Sequence, residues 1–325
     1  ILHAPVAQLD RAPDYESGGR EFESLPARQK NIMFEKLSNK QKGTLLAFIG
    51  VMIITPDALI IRSVSVETWD LLFYRSLLPG LALLVGYFVF FNHRALEDFM
   101  SIGVPGLINA LLVLGANVTF VMALANTDVA NALIMISLVP IIAAIFSFIF
   151  LNEKPEIITW FCSFGCLLAV IFIFYESYEL NKYLGDFYGL LCAIFVGASL
   201  TVMRGSPEIN FVPSYILGKL ATAVLSAFFV STFVIGIHDL LLISLMIITV
   251  GVSFVFISIA PQYISSPEVG IFFLLETSLG PLWVWLFIFE EPTQKTLIGG
   301  ILIILIVFGH SYYMIKKENI DKVAL

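Results

Sequence analysis

Four ionisable side chains, Asp57, Arg75, Lys219 and Glu276, stand inside stretches that are otherwise almost continuously apolar. A charge at the centre of a bilayer costs on the order of 2.5–3.5 kcal/mol on insertion scales, so such residues normally face a wet cavity or a partner. Glu276 falls near the middle of its run, where a carboxylate in an aqueous cavity can hold a cationic group or take up and release a proton. The competing reading is a structural pairing with Lys219 or Arg75. Arg75 carries a planar fork that suits a carboxylate or phosphate, but it can equally snorkel to the outer interface. Lys219 lies nearer the cytoplasmic end of its run and snorkels more easily. Asp57 follows Pro56, which removes a backbone donor and bends a helix, so a kink beside a carboxylate reads as a gate. Against that, Asp57 can simply pair with Arg62 or Arg75 near the outer surface. Asn109, Asn117 and Asn131 are candidate cavity liners or, alternatively, interhelical hydrogen-bonding residues. His310, close to the inner end of the last run, reads as a neutral, satisfied histidine.

These residues need helices to position them, and the composition supplies helices of one kind. The 325 residues are 58% hydrophobic and 13% charged, against about half and about a quarter in soluble domains. Mean hydropathy is +0.92, which excludes a soluble globular protein. A helix needs about 20 mostly apolar residues to cross the roughly 30 Å hydrocarbon layer. Ten stretches qualify, near 43–61, 70–91, 101–123, 129–151, 157–175, 186–203, 212–235, 240–261, 268–289 and 296–315. The connections between them are too short for an extramembrane domain, and the alternating ten-residue segments of a β-barrel are absent. The expected fold is an all-α integral membrane bundle in contact with the lipid bilayer. Pro79, Pro105, Pro140, Pro261 and Pro281 read as static kinks or as points of flexing.

Orientation follows from lysine and arginine asymmetry. With the N-terminus inside, the cytoplasmic side receives Lys36, Lys40, Lys42, Arg94, Lys154, Arg204, Lys316, Lys317 and Lys322, and the outer side only Arg62, Lys182 and Lys295. Both termini are therefore expected in the cytoplasm, with 316–325 as a cytoplasmic tail. Residues 1–32 contain no long apolar run and are expected to be disordered. They resemble a peptide produced by translation of a transfer-RNA gene region, so translation is expected to start at Met33.

Several function classes find no support. The net charge of −7 gives nucleic acid no electrostatic footprint. Cys162, Cys166 and Cys192 lie in apolar runs and read as packing residues, not a metal or disulfide framework. No GxxxxGK[ST] loop, HExxH site or GxSxG elbow occurs, and the four histidines are scattered. No catalytic residue, metal site or cofactor is therefore expected. The leading expectation is a carrier of a small molecule, with a membrane-embedded enzyme or a non-transporting accessory subunit as the alternatives; proton coupling is one of the two readings of Glu276. Mixed charge among Arg75, Lys219, Glu276 and Asp57 fits amino acids or other zwitterions. Oligomeric state is left open.

Two halves of five spans must insert in opposite senses if one is a copy of the other. Shifting the sequence by 137 lays Leu138–Pro155 over Leu275–Pro292, aligning Glu153 with Glu290 and Pro155 with Pro292. Pro140 stands 13 residues before Glu153, and Thr277 13 before Glu290. With TPDALIIR (Thr55–Arg62), FYRSLLPGLALL (Phe73–Leu84), GDFYGLLCAIF (Gly185–Phe195) and the PLWVWLF run, this paired signature resembles the EamA-type repeats of the drug/metabolite transporter superfamily. Thr277 stands where the pattern has proline, and Phe289 where a small residue precedes the glutamate. The resemblance implies ten helices in two inverted five-helix repeats, here 33–175 and 176–315. It further implies a central cavity and transport of small metabolites, commonly export, across the bacterial inner membrane.

Overall fold

Helix occupies each of the ten apolar stretches in the computed structural model, which describes residues 38–152, 157–179 and 181–324. The expected N-terminal extension, Met33, Glu153 and Pro155 lie outside the described residues, as does the side chain of His310. The chain runs as α1 (Asn39–Ile54), α2 (Asp57–Ser63), α3 (Thr68–Phe91), α4 (His93–Ser101), α5 (Gly103–Asn126), α6 (Val129–Ile136), α7 (Val139–Leu151) and α8 (Ile157–Glu179). It continues as α9 (Tyr183–Gly205), α10 (Val212–Ala227), α11 (Ile237–Met246), a π-turn (Ile247–Val252), α12 (Ser253–Ile259), α13 (Ser266–Ile288) and α14 (Gln294–Ala324). From Asn39 the helices pack as one compact unit, and no strand occurs among the described residues.

Among the described residues, seven helices are long and apolar enough to cross a membrane: 39–63, 68–91, 103–126, 129–151, 183–205, 237–262 and 266–288. The expected stretch 212–235 is shorter than its composition suggests. Its helix, α10, holds 16 residues, about 24 Å at 1.5 Å per residue. The following segment leaves the helical path because α3 captures it. Asp70 accepts the Ser231 N–H at 2.8 Å, Tyr74 donates its hydroxyl to the Phe233 carbonyl at 2.6 Å, and Phe229 stacks on Trp69. Within the last stretch, Gln294–Ile306 is a short apolar helix, while α14 itself runs on through most of the expected tail.

Proline chemistry shapes the helices that carry the charges. Pro56 has no N–H for the Met52 carbonyl, so α1 stops at Ile54 and the Thr55 hydroxyl donates to that carbonyl at 3.1 Å instead. The ladder resumes at Ile60 N–H to Pro56 O, 3.1 Å, placing Asp57 in the first turn of α2. Pro79 lies inside α3 opposite the π-turn, where a Cβ on Gly251 would come within 3.3 Å of the proline Cβ.

Close approach between α9 and the α5–α6 connection depends on Gly185. A Cβ there would sit 2.5 Å from the backbone nitrogen of Thr127, too close for either to stay in place. Gly185→Ala is therefore expected to cost about 1–3 kcal/mol by overpacking, read as a lowered melting temperature of the purified protein. A melting temperature equal to the native one would show that the connection is free to shift.

Candidate functional site

Arg75, Asp57, Asn117 and Lys219 come from four helices and meet in one buried cluster. Arg75 on α3 donates Nη2 to Asp57 Oδ2 at 2.6 Å and Nη1 to Asn117 Oδ1 at 3.0 Å, with its guanidinium 5.1 Å from the centroid of the Phe120 ring. Lys219 on α10 donates Nζ to the same Asn117 oxygen at 2.6 Å and lies 5.8 Å from the centre of the Tyr215 ring. Asn117 donates its own Nδ2 to the Val113 carbonyl at 2.7 Å, which fixes the amide with its oxygen toward the two cations. Asp57 and Lys219 are fully buried and Arg75 is 3% exposed.

Glycines allow this convergence. A Cβ on Gly80 would meet Leu220 at 3.0 Å and Lys219 Cβ at 3.3 Å, and one on Gly218 would lie 2.7 Å from the Ala110 carbonyl. Helix α10 thus fits against both α3 and α5, and Lys219 is carried to the amide that Arg75 also uses. The cluster holds two cations against one carboxylate. Among the described residues, Asp57 Oδ1 and Arg75 Nε are buried without a hydrogen-bond partner.

A central cavity opens beside the cluster, walled by Arg75, Asn109, Asn117, Ser199, Ser258 and Glu276 among apolar and aromatic side chains. It leaves about 60 Å³ for the centre of a water-sized sphere, room for several waters or a compact organic molecule. Glu276 on α13 is 4% exposed, and its carboxylate makes no hydrogen bond or ion pair among the described residues. A second polar chain runs along the wall. Ser199 donates to Asn109 Oδ1 at 2.6 Å, Asn109 to Ser214 Oγ at 3.0 Å, and Ser214 to the Gly106 carbonyl at 2.6 Å.

The expected site residues therefore separate into groups. Arg75, Asn117, Asn109 and Glu276 border the cavity, and Asp57 and Lys219 stand directly behind Arg75 and Asn117. Neither Arg75 nor Lys219 snorkels: both side chains turn inward to one oxygen, because the buried carboxylate and amide give them partners that the apolar run does not suggest. Glu276 pairs with neither cation. Asn131 is not among the residues that wall this cavity; its Oδ1 accepts the Thr296 hydroxyl at 2.5 Å between α6 and α14, the interhelical bond that was its other reading. Sequence reading passed over Ser199, Ser214 and Ser258, whose hydroxyls in apolar runs were the available signal, and over Tyr215.

It also left Arg62 and Glu290 apart, although both stand at the ends of apolar runs. In the structure they close one end of the bundle. Arg62 donates to the Thr127 carbonyl at 2.7 Å and places Nε 3.2 Å from Glu290 Oε2, while Glu290 Oε1 accepts the Val129 N–H at 2.7 Å at the start of α6. Phe289 takes a left-handed conformation, φ 62°, to end α13 and turn Glu290 into this position. Lys182 pairs with Asp128 at 2.7 Å, and Thr127 donates to the buried Asp186 at 2.8 Å.

Buried charge around a central cavity in an apolar bundle fits a transporter, and comparison with known proteins agrees. Residues 41–175 match the EamA-like transporter family. Over that segment the chain is similar to the EamA-like transporters. The EamA match covers α1 to α8, including Asp57, Arg75 and Asn117. Among curated proteins nothing matches the chain. Among solved structures, 27 chains match. One, titled only "Crystal structure of protein", is 18% identical with a TM-score of 0.61, over 82% of this chain and 94% of its own. That likeness speaks for the fold alone; the EamA-like segment together with the apolar helices supports a multi-pass membrane protein.

Proposed function

We propose that the chain is a secondary transporter of the bacterial inner membrane that exports small metabolites such as amino acids. It works by alternating access, with ten helices arranged as two inverted five-helix repeats and both termini in the cytoplasm. The observation that carries this reading is Glu276, a carboxyl group with no hydrogen bond or ion pair among the described residues, on the wall of a buried cavity beside a charge cluster drawn from several helices. A buried charge without a partner is costly, and a structural protein gains nothing from it. A carrier gains a group that substrate or proton can satisfy. Its ionisable neighbours are Asp57 on α2, Arg75 on α3 and Cys192 on α9, so proton uptake at Glu276 would alter the balance of the whole cluster.

Traversal in alternate directions supports ten spans. Arg62, Thr127, Lys182, Asp186 and Glu290 meet at one end, whereas Lys40 pairs with Glu268 and Gln262 bonds to Ile209 at the other. The inverted repeat draws support from α7 and α13, which carry the aligned signatures and pack directly together: a Cβ on Gly270 would lie 2.9 Å from Pro140, while Thr277 donates to the Leu133 carbonyl of the adjoining α6 at 3.1 Å. Uptake of radiolabelled amino acids, nucleosides and organic acids into proteoliposomes, with and without a pH gradient, tests the proposal. Gradient-dependent flux of any of them supports it. No flux, together with stoichiometric copurification of another membrane protein, replaces it with an accessory-subunit role.

On this reading the Arg62–Glu290 contact latches the outer side. Glu290→Gln keeps an acceptor for Val129 N–H but removes the charge facing Arg62. In a Cys162→Ala/Cys166→Ala background, a membrane-impermeant maleimide added from outside should then label Cys192, on the cavity wall, about 10-fold faster, as a shift of about 1.4 kcal/mol gives. An unchanged rate would remove Glu290 from any gating role.

A further inference from the structure

We infer that α2, given the transporter reading above, is a rigid lever that ties the buried Asp57–Arg75 pair to the outer Arg62–Glu290 latch, so that neither parts without the other. The break at Pro56 makes the pivot. No backbone hydrogen bond among the described residues joins α1 to α2, and the ladder restarts only at Ile60 N–H to Pro56 O, 3.1 Å. A helix broken at membrane depth persists only where protein or a cavity covers the freed backbone groups. Here Trp283 of α13 covers the joint, donating Nε1–H to the Thr55 hydroxyl at 3.3 Å.

Beyond the joint the chain is stiff. Ala58, Ile60 and Ile61 are buried, and the Ser63 hydroxyl donates to the Leu59 carbonyl at 2.8 Å, which closes the last turn. Each end of this short helix holds one contact. Asp57 opens α2 and pairs with Arg75 at 2.6 Å, while Arg62, near its end, donates to the Thr127 carbonyl at 2.7 Å and places Nε 3.2 Å from Glu290 Oε2. Five positions of α-helix are about 7.5 Å along the axis and roughly 140° around it, so the two side chains leave on different faces toward different partners. A pivot at Thr55–Pro56 that frees one contact shifts the other, because α2 has no second break between them. The buried end is the one a ligand can drive. Arg75 borders the cavity, and each Nη keeps one N–H beyond the bond it gives to Asp57 or Asn117. An acceptor in the cavity therefore competes with Asp57 for the guanidinium, and the lever carries that competition to the outer end.

Thiol labelling of the full-length protein in nanodiscs, where both faces meet the reagent, tests the coupling in a Cys162→Ala/Cys166→Ala/Cys192→Ala background. Val129→Cys places a thiol at a buried residue under the latch, the one whose N–H Glu290 accepts. Asp57→Asn leaves Arg62, Thr127 and Glu290 untouched, yet should speed maleimide labelling of that thiol by about 10-fold, as a shift of about 1.4 kcal/mol in the opening equilibrium gives. A thiol from Ala95→Cys, buried on α4 at the far end of α3, should keep its native rate. An equal rise at both thiols is general loosening and overturns the lever, as does an unchanged rate at Val129→Cys. In the reverse direction, Glu290→Gln alters nothing at the cluster but should speed methanethiosulfonate labelling of Ala58→Cys, at the buried pivot end of α2, by about 5-fold or more, the lower end of typical coupling between sites. An unchanged rate there also overturns the lever, so the question is decided even if Asp57→Asn fails to fold. Uncoupled thiols in a protein that shows gradient-driven flux refute the lever and leave the transporter reading standing. Coupled thiols without flux of any compound sustain the lever and count against the transporter reading.

Discussion

Arg75→Ala is expected to lower the stability of the purified protein by about 3–5 kcal/mol, the cost of stranding one member of a buried ion pair. The guanidinium is the ion-pair partner of Asp57, whose carboxylate is fully buried and whose second oxygen has no hydrogen bond. Removing Arg75 leaves that charge unmatched and strips one of the two donors from Asn117. Asp57→Asn should be milder, because the amide still accepts from Arg75 while the cluster gains a surplus cation. The double variant Asp57→Asn/Arg75→Gln, with no charge in the pair, should recover most of the loss, since neutral polar groups are cheaper to bury than a lone ion. Melting curves of all three variants in one detergent measure this. If Arg75→Ala melts within a degree of the native protein, the cluster is wetter than its burial implies and the pair is not what holds α2 to α3.

Glu276→Gln carries the opposite signature: large in transport, small in stability. No protein hydrogen bond or ion pair of the side chain is broken among the described residues, and a near-isosteric amide replaces a buried ionisable group by a neutral one, so the melting temperature should stay level or rise. Gradient-driven accumulation should fall to background, because the amide neither exchanges a proton nor carries charge toward a cationic group. Substrate exchange at equal pH on both sides should fall by about 10- to 100-fold, the range for a lost charged hydrogen bond. Accumulation that persists undiminished would return Glu276 to a structural role. Together the two variants separate the parts of the site. One cluster holds helices, and the carboxylate across the cavity is available for work.

Much of this was readable in advance, and the rest was not for definite reasons. Apolar runs of about 20 residues gave away the helices, since hydrocarbon leaves a backbone few other options. Pro56 marked the break between α1 and α2, and the pairing of Asp57 with Arg75 was one of two partners read for it. What stayed hidden was convergence. Positions 75, 117 and 219 are far apart in the chain, and only the contacts that Gly80 and Gly218 permit bring two cations to one amide oxygen. Spacing alone favoured snorkelling for Lys219 because it cannot show what lies across a helix interface. Asn131 looked like Asn109 and Asn117 in sequence, yet its partner, Thr296, is 165 positions away. The length of α10 was misjudged because the apolar stretch continues past Ala227, while the helix yields to side-chain bonds from Asp70 and Tyr74.

The π-turn at Ile247–Val252 sets the angular position of part of the cavity wall. Such a turn holds one residue more than the regular ladder, and each residue of an α-helix advances its side chain by about 100°. Phe254, Ile257 and Ser258 follow directly after it and form one panel of the cavity wall. Their aim is thus indexed by a single surplus residue lodged against Pro79. Taking up that residue into a regular helix would turn the panel by roughly a quarter revolution, exchanging its aromatic face for another without altering any side chain in the chamber.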